Sequence, residues 1–422
     1  MRMLYALAWL LALPFLFLYL VWRARKQPEY LRHWNERLGR GPLSAGKRRI
    51  LLHAVSVGET RAATPLLQAL RTRHPDYEIL LTHTTPTGRS TGKELFGEVV
   101  TQTYLPYDFA PLVRRFLNRT RPDCCIVMET EIWPAFFAAC ARRGIPVYLV
   151  NARLSERSAQ GYARIRSLVA PALGRLDGIA AQTDADAARL ASLGATRTQV
   201  TGNLKFDVAA PVGAAAVADH LRQMFQGKLV LLAASTRDGE ETLLLEAVKR
   251  LNRPDVLLVI VPRHPQRFNQ VAGLLRDTGW PWHRRSDPAP PPDGMRLFLG
   301  DSMGEMAAYY IAADLAYIGG SLLPFGGQNL IEAAAAGCPA LIGPHTWNFE
   351  EAAEQAVMAG CAWRVADGEA LLGALRTLVD DLERRRAMAE AGRRFAAANR
   401  GATERVLAMV EPGLPGRATP TP

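Results

Sequence analysis

From residue 49 onward, short apolar runs alternate with longer amphipathic stretches. Runs of strand length fall at 50–54, 78–82, 99–104, 124–128, 147–150 and 178–181. Helical periodicity fills the intervals, as at 60–70 and 134–143. Strands alternating with helices predict a parallel, doubly wound α/β sheet. A Gly/Ala/Pro-rich stretch at 208–217 breaks the pattern, which restarts with strands at 229–233, 256–261, 296–299, 315–318 and 340–342. The chain therefore reads as two βαβ domains with a linker near 207–226. A proline-rich surface loop (SDPAPPPDG) lies at 286–294, and a frayed tail is expected from 411. In such sheets ligands bind beyond the carboxyl ends of the strands, so polar residues at those ends are the functional candidates.

The amino-terminal segment has a different pattern. Residues 4–22 contain no charged side chain, enough helix to cross or deeply enter a hydrocarbon core of ~30 Å. Tyr5, Trp9, Tyr19 and Trp22 supply aromatics near both ends, and Arg23, Arg25 and Lys26 follow at once. Arg32, Arg37 and Arg40 extend the positive flank, which by the positive-inside rule keeps the remaining chain in the cytoplasm. A cleaved signal peptide would carry its charges before the apolar run and small residues after it, whereas Trp22-Arg23-Ala24-Arg25 stands here. The segment reads as an uncleaved anchor, with Pro14 kinking it.

Composition narrows the partners. The 422 residues are 49% apolar and 22% charged, ordinary globular material for two or three domains. Lys and Arg number 51 against 40 Asp and Glu, and the net charge of +11 favours an anionic partner. Nucleic acid is a poor fit, because the arginines are dispersed and no recognised module occurs. The cysteines (Cys124, Cys125, Cys140, Cys338 and Cys361) are odd in number and form no C-x-x-C pair. They read as buried thiols, with neither a disulfide framework nor a zinc knuckle.

The strand ends carry the candidate chemistry. His53-Ala-Val-Ser-Val-Gly-Glu59-Thr60 follows the first strand and places Glu59 in or beside the first turn of a helix. A carboxylate there suits a general base, or simply complements the helix dipole. Thr84-Thr-Pro-Thr-Gly88-Arg89 closes the next strand, and Glu129-Thr-Glu131-Ile-Trp133-Pro134 puts two carboxylates after another. In the second half, Pro262-Arg263-His264-Pro265 offers a bidentate cation for phosphate. Gly300-Asp-Ser-Met303-Gly304-Glu305 forms a turn of backbone amides, and Gly326-Gly-Gln-Asn329-Leu330-Ile331-Glu332 again joins strand to helix. Each alone is compatible with a structural turn; three at strand ends in one domain point to a nucleotide site. Gly88 to Lys93 imitates a P-loop with its spacing one residue short. Ala54-Val-Ser56-Val-Gly58 imitates a nucleophile elbow, which keeps a membrane-associated serine hydrolase using Ser56 as a rival.

Taken in order, HAVSVGET, METEIWP, NARLSERS, GNLKFD, PRHPQRF, GDSMGEM, GGQNLIEAAAAGCP and GPHTWNF resemble the Kdo transferases of lipopolysaccharide synthesis, Kdo being 3-deoxy-D-manno-oct-2-ulosonic acid. The resemblance implies the GT-B fold, two Rossmann-like domains facing across a cleft. It implies an anchor at 1–26, an acceptor domain at 27–206, a donor domain at 207–410 and a flexible tail at 411–422. It also implies an inverting glycosyltransferase that moves Kdo from CMP-Kdo to a lipid A precursor (lipid IVA) at the cytoplasmic face of the inner membrane. No metal or further cofactor is expected beyond the CMP-Kdo donor. By motif, Glu59 corresponds to the general base, and Glu129 and Lys205 to residues assisting the transition state. Pro262, Arg263, Met303, Gly304, Glu305, Asn329, Leu330, Ile331 and Glu332 correspond to the CMP site. Leu330 stands where the family usually has proline, and Gly327 where histidine is commoner. Another GT-B nucleotide-sugar transferase or epimerase is the alternative.

Overall fold

The computed structural model describes residues 2–25, 27–44 and 46–414. Fourteen strands form two seven-stranded, wholly parallel sheets among the described residues. The first contains β1 (Arg48–His53), β2 (Tyr77–His83), β3 (Thr101–Tyr104), β4 (Cys124–Met128), β5 (Val147–Ala152), β6 (Gly178–Ala181) and β7 (Thr198–Val200). The second contains β8 (Leu229–Thr236), β9 (Val256–Pro262), β10 (Trp282–Arg284), β11 (Leu297–Leu299), β12 (Leu315–Ile318), β13 (Ala340–Ile342) and β14 (Ala362–Arg364). Their orders are β3-β2-β1-β4-β5-β6-β7 and β10-β11-β9-β8-β12-β13-β14. Each sheet therefore reverses its winding once, between β1 and β4 and between β8 and β12, and leaves a crevice at those strand ends.

The central strands are buried on both faces, as parallel strands between helical layers must be. Ile50, Leu51, Leu52, Cys125, Ile126 and Val127 in the first sheet, and Leu231, Leu232, Leu258 and Val259 in the second, are fully buried. All five cysteines are buried free thiols. The strands β7, β10 and β14 were not evident from pattern. Each has three residues, and β7 is largely exposed, so neither alternation nor an apolar run marks it. The helical pattern at 60–70 resolves into two helices, Val57–Ala62 and Thr64–Arg73, because Pro65 opens the second and has no N–H to continue the first.

Two compact units result, one of residues to 208 together with those from 400, the other Ala209–Asn399. The expected donor domain of 207–410 thus loses its last helix. Ala402–Val410 returns to the first unit, where Ala402, Val406, Leu407 and Val410 share a core with Ile50, Leu52, Ile126 and Val150. Asp207 fastens the crossing by accepting the N–H groups of Gly401 at 2.7 Å and Thr403 at 2.6 Å. Periodicity shows that a helix is amphipathic and is silent on which sheet it covers. The expected tail at 411–422 is also ordered at its start: Glu411–Gly413 form a turn of 3-10 helix and Leu414 is buried. Residues 415–422 lie outside the described residues.

The amino-terminal segment is a helix, Arg2–Ala24, exposing Leu10, Leu11, Phe15, Leu18 and Trp22. No single helix among the described residues is long and apolar enough to cross a membrane; Leu7–Leu13 and Leu18–Ala24 qualify only together, bent by 43°. Position 14, a proline in the sequence, falls in the break between them. Tyr5 donates its hydroxyl to Asp108 at 2.8 Å, and Trp9 packs against Tyr107 with ring centroids 5.8 Å apart.

Candidate active site

The crevice of the first sheet brings Glu59, Glu129 and Lys205 into one neighbourhood. β1 ends at His53, and the chain turns through Val55 and Ser56 into the helix Val57–Ala62. Ser56 is the N-cap, with extended backbone and a side chain that accepts the Glu59 N–H. The Glu59 side chain folds back over the cap. One carboxylate oxygen accepts the Val55 N–H at 2.8 Å and the other the Ser56 hydroxyl at 2.9 Å. This is a variant of the Ser-x-x-Glu capping box, with the carboxylate on the Val55 N–H and the Ser56 hydroxyl in place of the Ser56 N–H. Among the described residues Ser56 has no histidine partner, so the hydrolase geometry is not assembled.

Glu59 is only 8% exposed. Burial, and next the charge of Glu129, push its carboxyl up to about 7, while Val55 and Ser56 pull the other way. A carboxylate poised there takes and releases a proton near neutral pH. Glu129 follows β4 with φ +54°, a left-handed conformation that a non-glycine residue adopts at some strain. Its carboxylate meets Lys205 Nζ at 3.3 Å and Arg153 Nε at 3.5 Å.

Lys205 is placed by the GNLKFD segment. Asn203 caps the 3-10 helix Leu204–Asp207 by accepting the Lys205 N–H at 2.9 Å, and its own amide reaches Gln182. Asn151, at φ +53° beyond β5's centre, accepts the Leu204 N–H at 3.0 Å. Glu131 accepts the Trp133 indole N–H at 2.9 Å, and burial raises its carboxyl. Trp133 meets His53 edge to face at 5.6 Å. His53 and His83 are buried, and desolvation holds them at about 3 and 4, neutral imidazoles within the fold.

In the second unit, the expected nucleotide residues occupy three strand ends. Pro262 closes β9 with its side chain buried, and the Arg263 N–H bonds to Thr236 O at 3.0 Å. Met303 is exposed and Gly304 has φ +80°, which suits glycine. Glu305 pairs with Arg285 at 3.1 Å. Asn329 donates to Glu332 at 2.8 Å and accepts the Ile331 N–H at 3.1 Å. Leu330 and Ile331 are buried, so these positions offer a ligand backbone rather than side chain.

The segment leading from the end of β8 into the next helix, Ser235-Thr-Arg237-Asp-Gly-Glu240-Glu241, is not marked by the sequence pattern. Its signal was positional: it ends the first strand after the linker, beside the second switch point. Glu240 and Glu241 are fully buried. Glu241 accepts Thr236 and Arg267, each at 2.6 Å.

Known proteins resemble the chain over most of its length. The family model "3-Deoxy-D-manno-octulosonic-acid transferase (kdotransferase)" matches residues 32–208. A 3-deoxy-D-manno-octulosonic acid transferase of Bordetella pertussis is 45% identical over 379 residues, covering 86% of this chain and 87% of that protein. The protein of the same name from Haemophilus influenzae is 37% identical over 421 residues, covering 98% and 99%. Among solved structures, a UDP-GlcNAc 2-epimerase from Neisseria meningitidis matches with a TM-score of 0.60 at 15% identity, over 86% of this chain and 100% of that one. At that identity the likeness is one of fold.

Proposed function

The chain belongs to the 3-deoxy-D-manno-octulosonic acid (Kdo) transferase family, and we propose that it moves Kdo from CMP-Kdo onto a lipid A precursor such as lipid IVA. The observation that carries the chemistry is Glu59, a carboxyl brought to about 7 by burial and by Glu129 while both its oxygens are held in place. Glu59 takes the proton of an acceptor glucosamine hydroxyl, and that oxygen attacks the anomeric carbon of Kdo as CMP departs. One base and one displacement invert the anomeric centre.

Lys205 and Glu129 lie beside this base, and the lysine's positive charge opposes negative charge developing in the transition state. Arg263 and the backbone amides at 303–305 and 329–332 receive the nucleotide phosphate, with Asn329 and Glu332 on the ribose. In this reading the bent helix Arg2–Ala24 is the anchor at the cytoplasmic face of the inner membrane, its exposed leucines and Phe15 meeting lipid. Anchoring confines enzyme and lipid acceptor to one thin layer, which raises their effective concentration.

The test is incubation of the purified full chain with CMP-Kdo and lipid IVA, following CMP release and product mass. Acceptor species heavier by whole Kdo residues are expected. Unchanged acceptor, or epimerisation of UDP-GlcNAc in a parallel tube, would overturn the assignment. A protein lacking residues 1–22 should lose far more turnover on acceptor in vesicles than on acceptor in detergent.

A further inference from the structure

The switch point of the second sheet contains an arginine to which the mechanism above gives no role. Ser235, at the end of β8, has φ +57°, and a Cβ on Gly319 would lie 2.3 Å from the Ser235 carbonyl oxygen. The two turns flanking the crevice thus approach more closely than a side chain at 319 would permit. Glu240 clasps them together. One of its oxygens accepts the N–H of Arg237 at 2.9 Å and that of Gly320 at 2.7 Å; the other accepts the Tyr317 hydroxyl at 2.5 Å.

This brace fixes the backbone from which the Arg237 side chain leaves. The guanidinium lies over the Phe325 ring, 4.7 Å from its centroid, and Cγ runs alongside Gly320, which has φ +70°. Arg237 is half-buried and makes no ion pair among the described residues. Its neighbours differ: Arg267 is paired with Glu241 and Asp238, Arg284 with Asp301, and Arg285 with Glu305. Arg263 stands at the next strand end, its N–H on Thr236 O. Burial, then the charges of Arg237, Arg263 and Arg267, hold the His264 imidazole below its ordinary range, consistent with a locally positive field.

A planar cation stacked on an aromatic ring, with its fork uncommitted to any carboxylate among the described residues, is a site for a bidentate oxyanion. The proposed donor has two anionic groups, the phosphodiester and the carboxylate of the ulosonic acid. With Arg263 assigned to the phosphate, we propose that Arg237 binds the sugar carboxylate of the donor, with Phe325 setting the plane of its guanidinium. The assignment rests on the Kdo-transfer reading above and makes Arg237 a specificity residue for an acidic sugar.

CMP has the phosphate and no carboxylate, which separates the two arginines. Arg237→Gln keeps the backbone N–H that Glu240 needs. It should raise KM for CMP-Kdo about 10–100-fold, the loss expected for a charge-assisted hydrogen bond. The inhibition constant of CMP should stay within about twofold of wild type. Arg237→Lys should recover part of the KM, by charge without the fork. A parallel weakening of CMP in Arg237→Gln would place the residue on the phosphate and overturn the proposal, as would an unchanged KM for CMP-Kdo. A wild-type chain that binds CMP and transfers no Kdo would overturn the underlying reading instead.

Discussion

Ser56 and Glu59 hold each other across one helix start: the serine hydroxyl donates to the glutamate at 2.9 Å and receives the glutamate N–H at 3.4 Å. A local capping device thereby orients the proposed base and moderates its proton affinity.

The pH profile should report that balance. Glu59 must be ionised to take a proton, so turnover should rise with pH and level off above about 7. Ser56→Ala removes a bond that favours the ionised form and should shift the rise to higher pH. Glu129→Gln removes a like charge and should shift it to lower pH. Inflections that stay put in both variants would exclude Glu59 as the group being titrated.

Glu59→Gln should cut turnover by about 10²–10⁴-fold while leaving CMP affinity unchanged. The sign of its stability effect also follows. Glu59 is raised from an ordinary 4.5 to about 7 in the fold, so ionisation there weakens the folded state progressively from about pH 4.5 to 7. The neutral amide escapes that penalty, and the variant should melt no lower than wild type at pH 8. Near-normal turnover would remove Glu59 from the base role.

Lys205→Met should reduce turnover by at least about 10²-fold, the scale of removing one preorganised electrostatic contact. The 3.3 Å contact with Glu129 is 15% exposed on both sides, so some loss of melting temperature is also expected. Full turnover at an unchanged melting temperature would show that the pair is incidental.

Glu240→Gln leaves a single acceptor oxygen for three donors, that of half-buried Arg237 and the buried ones of Gly320 and Tyr317. Each unsatisfied donor costs about 1–3 kcal/mol, so denaturant unfolding should show the second unit weakened by at least that much. An unchanged midpoint would mean the three donors find other partners.

Leu407→Ala should destabilise the first unit by about 2–5 kcal/mol, the usual cost of a leucine-sized cavity. CMP affinity should be retained, because the proposed nucleotide residues lie in the other unit. A midpoint unaltered by Leu407→Ala would show that the helix Ala402–Val410 contributes nothing to that core.

Eleven of the fourteen strands were legible as apolar runs, because a parallel strand buried on both faces must be apolar throughout. The positions of Glu59, Glu129, Arg263 and Asn329 at strand ends were legible too, since polar and glycine residues there interrupt the pattern where the chain turns. Three-residue edge strands left no such mark. The return of Ala402–Val410 to the first unit left none either, because an apolar stripe specifies burial and not the partner that provides it. The pairing of Glu129 with Lys205 joins residues 76 positions apart, and Glu240 reaches Gly320 across 80. Both depend on which strands the winding sets side by side. Local propensity and periodicity act over a few residues and were determined by the sequence alone. Proton affinity at Glu59 and the exposure of Arg237 on Phe325 arise from burial and neighbouring charge, which exist only once distant segments have packed.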